Sequence, residues 1–308
     1  MKRGAALAAG STLLATGLTV RLLQRRPPAN PLPGNVRLFD DEVIHYVDQG
    51  SGPAIVFIHG LGGSTFSWRH AIERFAATHR VIALDLPGFG YSERDPSAPL
   101  GLDDHARRVA RVMETLGVER ATVAGHSMGA AIAQRLALLA PERMNGLVLV
   151  APMGANDQPR WQEAYGRIRL VRRSAPLWER SPALARSVVR RALQQMAGDP
   201  GSISAEMVEG YARGLARRGT GACLEQLARC AQREARAEPA NITAPTLVLA
   251  GDMDPVFSTQ YAGRIAGAIP GAEFAVVESC GHMVPEEQPG EFHRLLEAFL
   301  AHHAEADS

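Results

Sequence analysis

An α/β fold is predicted: a mainly parallel sheet of about eight strands, flanked by helices and carrying a helical insertion. Three observations carry that expectation. Continuous apolar runs such as Ala54-Ile55-Val56-Phe57-Ile58 and Gly146-Leu147-Val148-Leu149-Val150 read as strands buried on both faces. Between such runs lie stretches with apolar residues at helical spacing, as in Leu102 to Leu116 with Val109, Val112, Met113 and Leu116 inward. From Ala155 to Pro239 the alternation stops, and only helical periodicity is found, broken by Pro159, Pro176, Pro182 and Pro200.

The chain opens on a segment outside this pattern. Lys2 and Arg3 precede an apolar run from Ala5 to Val20; Arg21, Arg25, Arg26 and the Pro-rich stretch Pro27 to Gly34 follow. A basic start and an apolar run resemble an export signal, yet no small-x-small cleavage site closes the run. Residues 1–34 are therefore expected to form an uncleaved signal anchor and a Pro-rich tether, with membrane contact through residues 5–23. A cleaved signal and a peripheral helix are the competing readings. The localisation that follows is membrane-anchored or exported, and cytoplasmic if the segment is neither. The core is expected over 35–154 and 240–303, with a helical cap over 155–239.

Within the core, Val36 to Phe39 and Glu42 to Asp48 alternate around Asp40-Asp41, as a β-hairpin does. Ala54 to Ile58 is the first buried strand, and it opens into His59-Gly60-Leu61-Gly62-Gly63. Ser67 to Ala77 has helical spacing at Trp68, Ile72 and Phe75. Arg80 to Asp85 is a strand leading into the tight loop Leu86 to Ser92, and the helix over Leu102 to Leu116 takes Asp103 as its cap. After the insertion, Thr246 to Gly251 is a strand, Ser258 to Ala268 a helix, Ala272 to Glu278 a strand and Pro289 to His302 a final helix.

Composition removes several function classes. The net charge is +1, the arginines are scattered, and Lys2 is the only lysine, so nothing points to nucleic acid. Cys223, Cys230 and Cys280 have no metal-type spacing and suggest no disulfide framework. No metal or organic cofactor is expected.

The chemistry centres on Gly125-His126-Ser127-Met128-Gly129, which lies between a predicted strand and a predicted helix. This is a G-x-S-x-G elbow: a sharp turn presents the serine at a helix N-terminus, where free N–H groups favour negative charge. A serine hydroxyl needs a base, and the base needs a carboxylate to fix its tautomer. Gly251-Asp252-Met253-Asp254 and Gly281-His282 follow in the order such elbows require, each just past a predicted strand. By position alone the carboxylate is Asp252 or Asp254.

With those motifs, and with His59-Gly60-Leu61-Gly62-Gly63 and Asp85-Leu86-Pro87-Gly88-Phe89-Gly90-Tyr91-Ser92, the chain resembles the α/β-hydrolase family, specifically single-domain hydrolases with a helical cap. The resemblance covers Val36 to Ala301. It implies Ser127 as nucleophile, Asp254 rather than Asp252 as acid, His282 as base, and an oxyanion hole from the backbone N–H groups of Leu61 and Met128. Epoxide hydrolases and haloalkane dehalogenases share the fold but carry Asp at the elbow, so Ser127 argues against both.

The expected reaction is hydrolysis of a carboxylic ester, esterase- or lipase-like, through an acyl-enzyme. The expected partner is a small, apolar or lipid-like ester. Carbon–carbon bond hydrolysis of a dienone acid, acyl transfer or perhydrolysis, and a non-catalytic binding module are the alternatives. The Leu61-Gly62-Gly63 loop lowers the first of these. Met153, Trp161 and Trp178 are candidate substrate contacts, although packing of the cap is the commoner role for such a residue taken singly. His59 reads as a structural hydrogen-bonder and His126 as pointing away from Ser127. His45, His70, His79, His105, His293, His302 and His303 are expected on helix or strand surfaces. Asp85 reads as a loop organiser, and Glu286 and Glu287 as the approach to the final helix.

Overall fold

The computed structural model describes residues 35–39, 42–154, 174–231 and 237–304. The expected anchor and tether over 1–34 lie outside them, as does Trp161. Among the described residues no helix is long and apolar enough to cross a membrane.

The hairpin forms as expected: β1 (Asn35–Phe39) and β2 (Glu42–Gln49) pair antiparallel, with Phe39 opposite Glu42. The strands β3 (Ala54–Ile58), β4 (Arg80–Leu84), β5 (Ala121–His126), β6 (Met144–Val150), β7 (Thr246–Gly251) and β8 (Glu273–Val277) follow. They make one eight-stranded sheet in the order β1-β2-β4-β3-β5-β6-β7-β8. From β4 to β8 every neighbouring pair is parallel, and β2 joins β4 antiparallel.

Helices cover both faces. In chain order the core helices are α1 (Arg69–Phe75), α2 (Leu102–Thr115) and α3 (Met128–Leu139). Between β6 and β7 the described residues contain α4 (Pro182–Met196), α5 (Ala205–Leu215) and α6 (Thr220–Ala231). The chain closes with α7 (Thr259–Gly267), the single turn α8 (Val284–Glu287) and α9 (Pro289–Ala304). The period of two in the strands sorts the core. Val56, Ile58, Val123, Leu147 and Leu149 bury against α2, α3 and α7. Their neighbours Ile55, Phe57, Ala124, Val148 and Val150 bury with Ala71, Ile72 and Phe75 of α1 and Phe292, Leu296 and Phe299 of α9. This two-sided burial is why these strands read as unbroken apolar runs.

Two expectations are corrected. The cap of α2 is Gly101 rather than Asp103. Asp104, three residues into the helix, accepts the Gly101 N–H at 3.0 Å, while Asp103 pairs with Arg135 of α3 at 3.1 Å. His45 and His105 are not surface residues; both have no exposed area. His45 sits on β2, which is walled by β1 and β4 and buried over Val43 to Val47. His105 lies four residues before Val109, on the stripe that α2 turns inward.

Neither ring nitrogen of His105 has a hydrogen-bond partner among the described residues. Burial, with Arg108 and His59 nearby, pushes its pKa well below the usual histidine value. His105→Leu is expected to raise unfolding stability by about 1–3 kcal/mol at neutral pH, because two unpaired polar atoms leave the core. Below about pH 6.5 the unfolded imidazole takes up a proton that the folded one refuses, so the wild type loses stability as pH falls toward the depressed folded value. The variant's advantage should therefore widen by about 1.4 kcal/mol per pH unit in that window. Urea unfolding of both proteins between about pH 5 and pH 8 measures this; an advantage that is flat with pH counts against it.

Candidate active site

β5 ends at His126 and α3 starts at Met128, so Ser127 makes the turn alone. Its φ of 53° and ψ of −115° put a residue with a Cβ where such residues are rare. Three backbone bonds hold it there. Ser127 N–H donates to the Val150 carbonyl at 2.9 Å, and its own carbonyl accepts from Ala130 N–H at 3.0 Å and Met153 N–H at 3.2 Å. The flanking glycines are demanded by space. A Cβ on Gly125 would lie 2.2 Å from the Gly129 carbonyl oxygen, and one on Gly129 would lie 2.2 Å from that of Ile58. Strand and helix can cross this tightly only without side chains there. Met128 occupies the first helical position, where the backbone N–H has no acceptor inside the helix.

Two later loops bring the other side chains. His282 Nδ1 lies 2.9 Å from Asp254 Oδ2, and both side chains are almost wholly buried. Asp254 Oδ1 accepts from the N–H groups of Val256 and Phe257 at 2.7 and 2.9 Å, which fixes the carboxylate. With Nδ1 donating to Asp254, Nε2 is left as the basic nitrogen, and it has no partner among the described residues. Asp252 faces elsewhere: its Oδ1 accepts the Cys280 N–H at 3.0 Å, and that bond, with others from the same loop, holds its carboxyl below the usual range.

His126 joins the elbow to this loop. Its Nε2–H donates to the His282 carbonyl at 2.8 Å, and the two rings lie 4.9 Å apart between centroids. The His282 imidazole is thus placed beside the residue that immediately precedes Ser127. Burial first, and then the proximity of His282, drives the His126 pKa down to about 3. It stays neutral through the physiological range and cannot serve as a base there. Cys280 is equally inert: its thiol is buried, and burial raises its pKa.

The loop after β3 is built around His59 and Asp85. His59 Nδ1–H donates to the Gly60 carbonyl at 2.7 Å, and Nε2 accepts the Leu86 N–H at 3.0 Å. Both nitrogens are used, so His59 is structural. Gly60 to Gly63 forms a turn closed by Gly63 N–H to Gly60 C=O at 3.0 Å, with Gly62 at φ 75° in the position that favours glycine. Leu61 stands at the exposed corner of that turn. Asp85 accepts from Thr65 N–H, Tyr91 N–H and His45 Nδ1 at 2.6, 2.7 and 2.8 Å. Burial opposes its charge, but the bonds and charge from His45, with help from His59 and Tyr91, outweigh it and hold the carboxyl below its usual range.

The other candidates are spread more widely. Met153 is buried, with its N–H on the Ser127 carbonyl. Trp178 is buried among Ala175 and Ala185 of the inserted segment. Glu286 and Glu287 do more than precede α9. Glu286 takes both oxygens to Arg69 Nη1 at 2.7 Å and accepts from Tyr211 Oη at 3.1 Å. Glu287 accepts backbone N–H groups on either side of His282. Their adjacency to Gly281-His282 was the available signal. Among the described residues, three metal-type donors converge only at Glu273, His302 and His303. The two imidazoles there are stacked at 4°, so their in-plane lone pairs lie in parallel planes that do not meet at one point.

A sequence profile described as the alpha/beta hydrolase fold matches residues 53–289. The chain is 30% identical over 271 residues to a 2-hydroxymuconate semialdehyde hydrolase from Pseudomonas sp. strain CF600, covering 85% of this chain and 90% of that protein. It is 30% identical over 264 residues to the dihydrolipoyllysine-residue acetyltransferase component of an acetoin cleaving system from Cupriavidus necator, covering 83% of this chain and 66% of that longer protein. A membrane phospholipase A, described as a bacterial virulence factor, superimposes with a TM-score of 0.72 and 29% identity, covering 97% of this chain and 96% of that one. The profile match spans most of the chain and coincides with the sheet and the elbow just described: this protein belongs to the α/β-hydrolase fold family.

Proposed function

We propose that the protein is a serine hydrolase that cleaves carboxylic esters through an acyl-enzyme, with Ser127 as nucleophile, His282 as base and Asp254 as the carboxylate that orients it. The observation that carries this reading is the buried Asp254–His282 pair, whose imidazole sits against His126 beside the strained elbow serine. In the first half-reaction Ser127 Oγ attacks the acyl carbon while His282 Nε2 takes its proton. The tetrahedral oxyanion is held by the N–H groups of Leu61 and Met128, each worth on the order of 3 kcal/mol. His282 then returns the proton to the departing alkoxide. In the second half-reaction His282 takes a proton from water, the hydroxide attacks the acyl carbon, and Ser127 Oγ leaves with that proton.

The helices between β6 and β7, within residues 155–239, act as a cap over this site. Its substrate is an apolar or lipid-like ester, in keeping with the membrane contact proposed for residues 5–23 and with the likeness to a membrane phospholipase. Met153 contributes to the acyl pocket from beneath the elbow, with Trp161 and Trp178 supplied by the cap. The 2-hydroxymuconate semialdehyde hydrolase relative favours carbon–carbon bond hydrolysis as the second reading.

A fluorophosphonate probe is expected to label Ser127, and the adduct is lost in Ser127→Ala. Ester turnover should fall by about 10⁴-fold or more in Ser127→Ala and in His282→Ala. Asp254→Asn should cost about 10²- to 10⁴-fold in kcat, whereas Asp252→Asn stays within about threefold, because only the former holds the imidazole. Equal losses at the two aspartates would remove Asp254 from its assigned role. A series of soluble p-nitrophenyl esters should show turnover rising with acyl length. A strong preference for acetyl argues against a lipid-like substrate, and turnover confined to a dienone acid argues for carbon–carbon cleavage.

A further inference from the structure

We propose that Glu287 is a positioning residue that couples docking of the cap to the placement of His282. The inference rests on the reading of His282 as the base. Glu287 Oε2 accepts two backbone N–H groups, from Gly198 at 2.8 Å and from Gly281 at 3.0 Å. Its Oε1 accepts a third, from Met283 at 2.9 Å. Gly281 and Met283 flank His282, while Gly198 belongs to the turn that follows α4 in the cap. One carboxylate therefore grips both sides of the histidine and the end of a cap helix. No Lys, Arg or His among the described residues is paired with it, so its negative charge is met by these backbone donors.

Three further contacts make the same junction. His282 N–H itself donates to the Met196 carbonyl, the last residue of α4, at 2.9 Å. The side chain of Met283 is buried in the cluster formed by Val189, Leu193 and Met207 of the cap. Gly281 and the cap turn pack backbone on backbone: a Cβ on Gly281 would lie 2.2 Å from Gly198 N, and one on Gly198 would lie 2.9 Å from Gly281 N. The histidine thus takes its backbone acceptor from the cap and its carboxylate partner from the core. Displacing the cap removes the Met196 acceptor, the Gly198 donor and the Met283 packing together. The His282 N–H then loses its acceptor, and the loop is left to Glu287 on its two flanking amides, His126 on the His282 carbonyl and Asp254 on the ring.

The adjacent Glu286 has a separate task. It binds Arg69 of α1 and Tyr211 of α5, and so fastens the cap to the core by a charged contact away from the histidine backbone.

The test uses the full chain in two variants. Gly198→Ala drives a methyl against Gly281 N, 2.9 Å away, and so wedges the cap turn from the histidine loop while keeping the Gly198 N–H. Glu287→Gln keeps the size of the side chain while removing its charge and one acceptor. Amide hydrogen exchange and steady-state hydrolysis of p-nitrophenyl butyrate are read on both. Both variants are expected to speed exchange at 281–283 by about tenfold or more, with β5 and α3 unchanged. Both should lower kcat by about tenfold while KM moves by less than about threefold, since the acyl pocket is intact and the base is misplaced. Unchanged exchange at 281–283 in Gly198→Ala would overturn the coupling, and so would faster exchange with wild-type kcat. If the wild-type chain hydrolyses no ester, the ester reading fails separately, and exchange at 281–283 in Gly198→Ala still decides whether cap and histidine loop are joined.

Discussion

Ser127 depends on how closely a helix can approach a neighbouring strand. α3 leaves the sheet against the end of β3, with the backbone of Gly129 in contact with the carbonyl of Ile58 and no room for a methyl group between them. That approach forces the turn into a single residue and drives its φ into the left-handed region. The strain is local, and the restraint is supplied by the neighbours: the Val150 carbonyl from β6, and the amides of Ala130 and Met153. The same contact aims the N-terminal end of α3, with its free N–H groups and positive dipole end, at the space above the serine. The helix packing and the electrostatics of the turn follow from that one steric fact.

Around the elbow, carboxylates do the work that regular secondary structure does elsewhere. Past the end of a strand the backbone N–H groups lose their ladder partners, and a buried donor left unpaired is costly. Asp85 collects two backbone donors and His45 beyond β4. Asp254 collects two backbone donors and His282 beyond β7. Glu287 collects three backbone donors beyond β8. Each anion rigidifies the loop it satisfies, so the loops can carry chemistry without being stabilised by a ladder.

The sheet was legible in the sequence because burial on two faces leaves an unbroken apolar run, as in β3 and β7, where the expected limits match the observed strands. The elbow was legible because sterics permit so few residues at Gly125 and Gly129. Contacts between residues distant along the chain were not. By position alone Asp252 and Asp254 are equivalent; the family resemblance singles out Asp254, and the fold turns it to His282 and Asp252 to Cys280. His105 reads as a surface residue by its polarity, while its step to Val109 marks the inward face of α2. Glu287 reads in the sequence only as the approach to the final helix, since a side chain that binds backbone amides leaves no pattern of complementary charge.

The joint between α4 and the histidine loop bears on how members of this family can be recombined. Exchanging the segment between β6 and β7 is the obvious way to graft one specificity onto another scaffold. Here that splice would separate Met196 from the His282 N–H and Gly198 from the Glu287 carboxylate, both on the far side of β8. A chimera cut only at the ends of the insertion inherits a mismatched hinge beneath His282. The natural unit of exchange is discontinuous: the inserted helices together with 280–287.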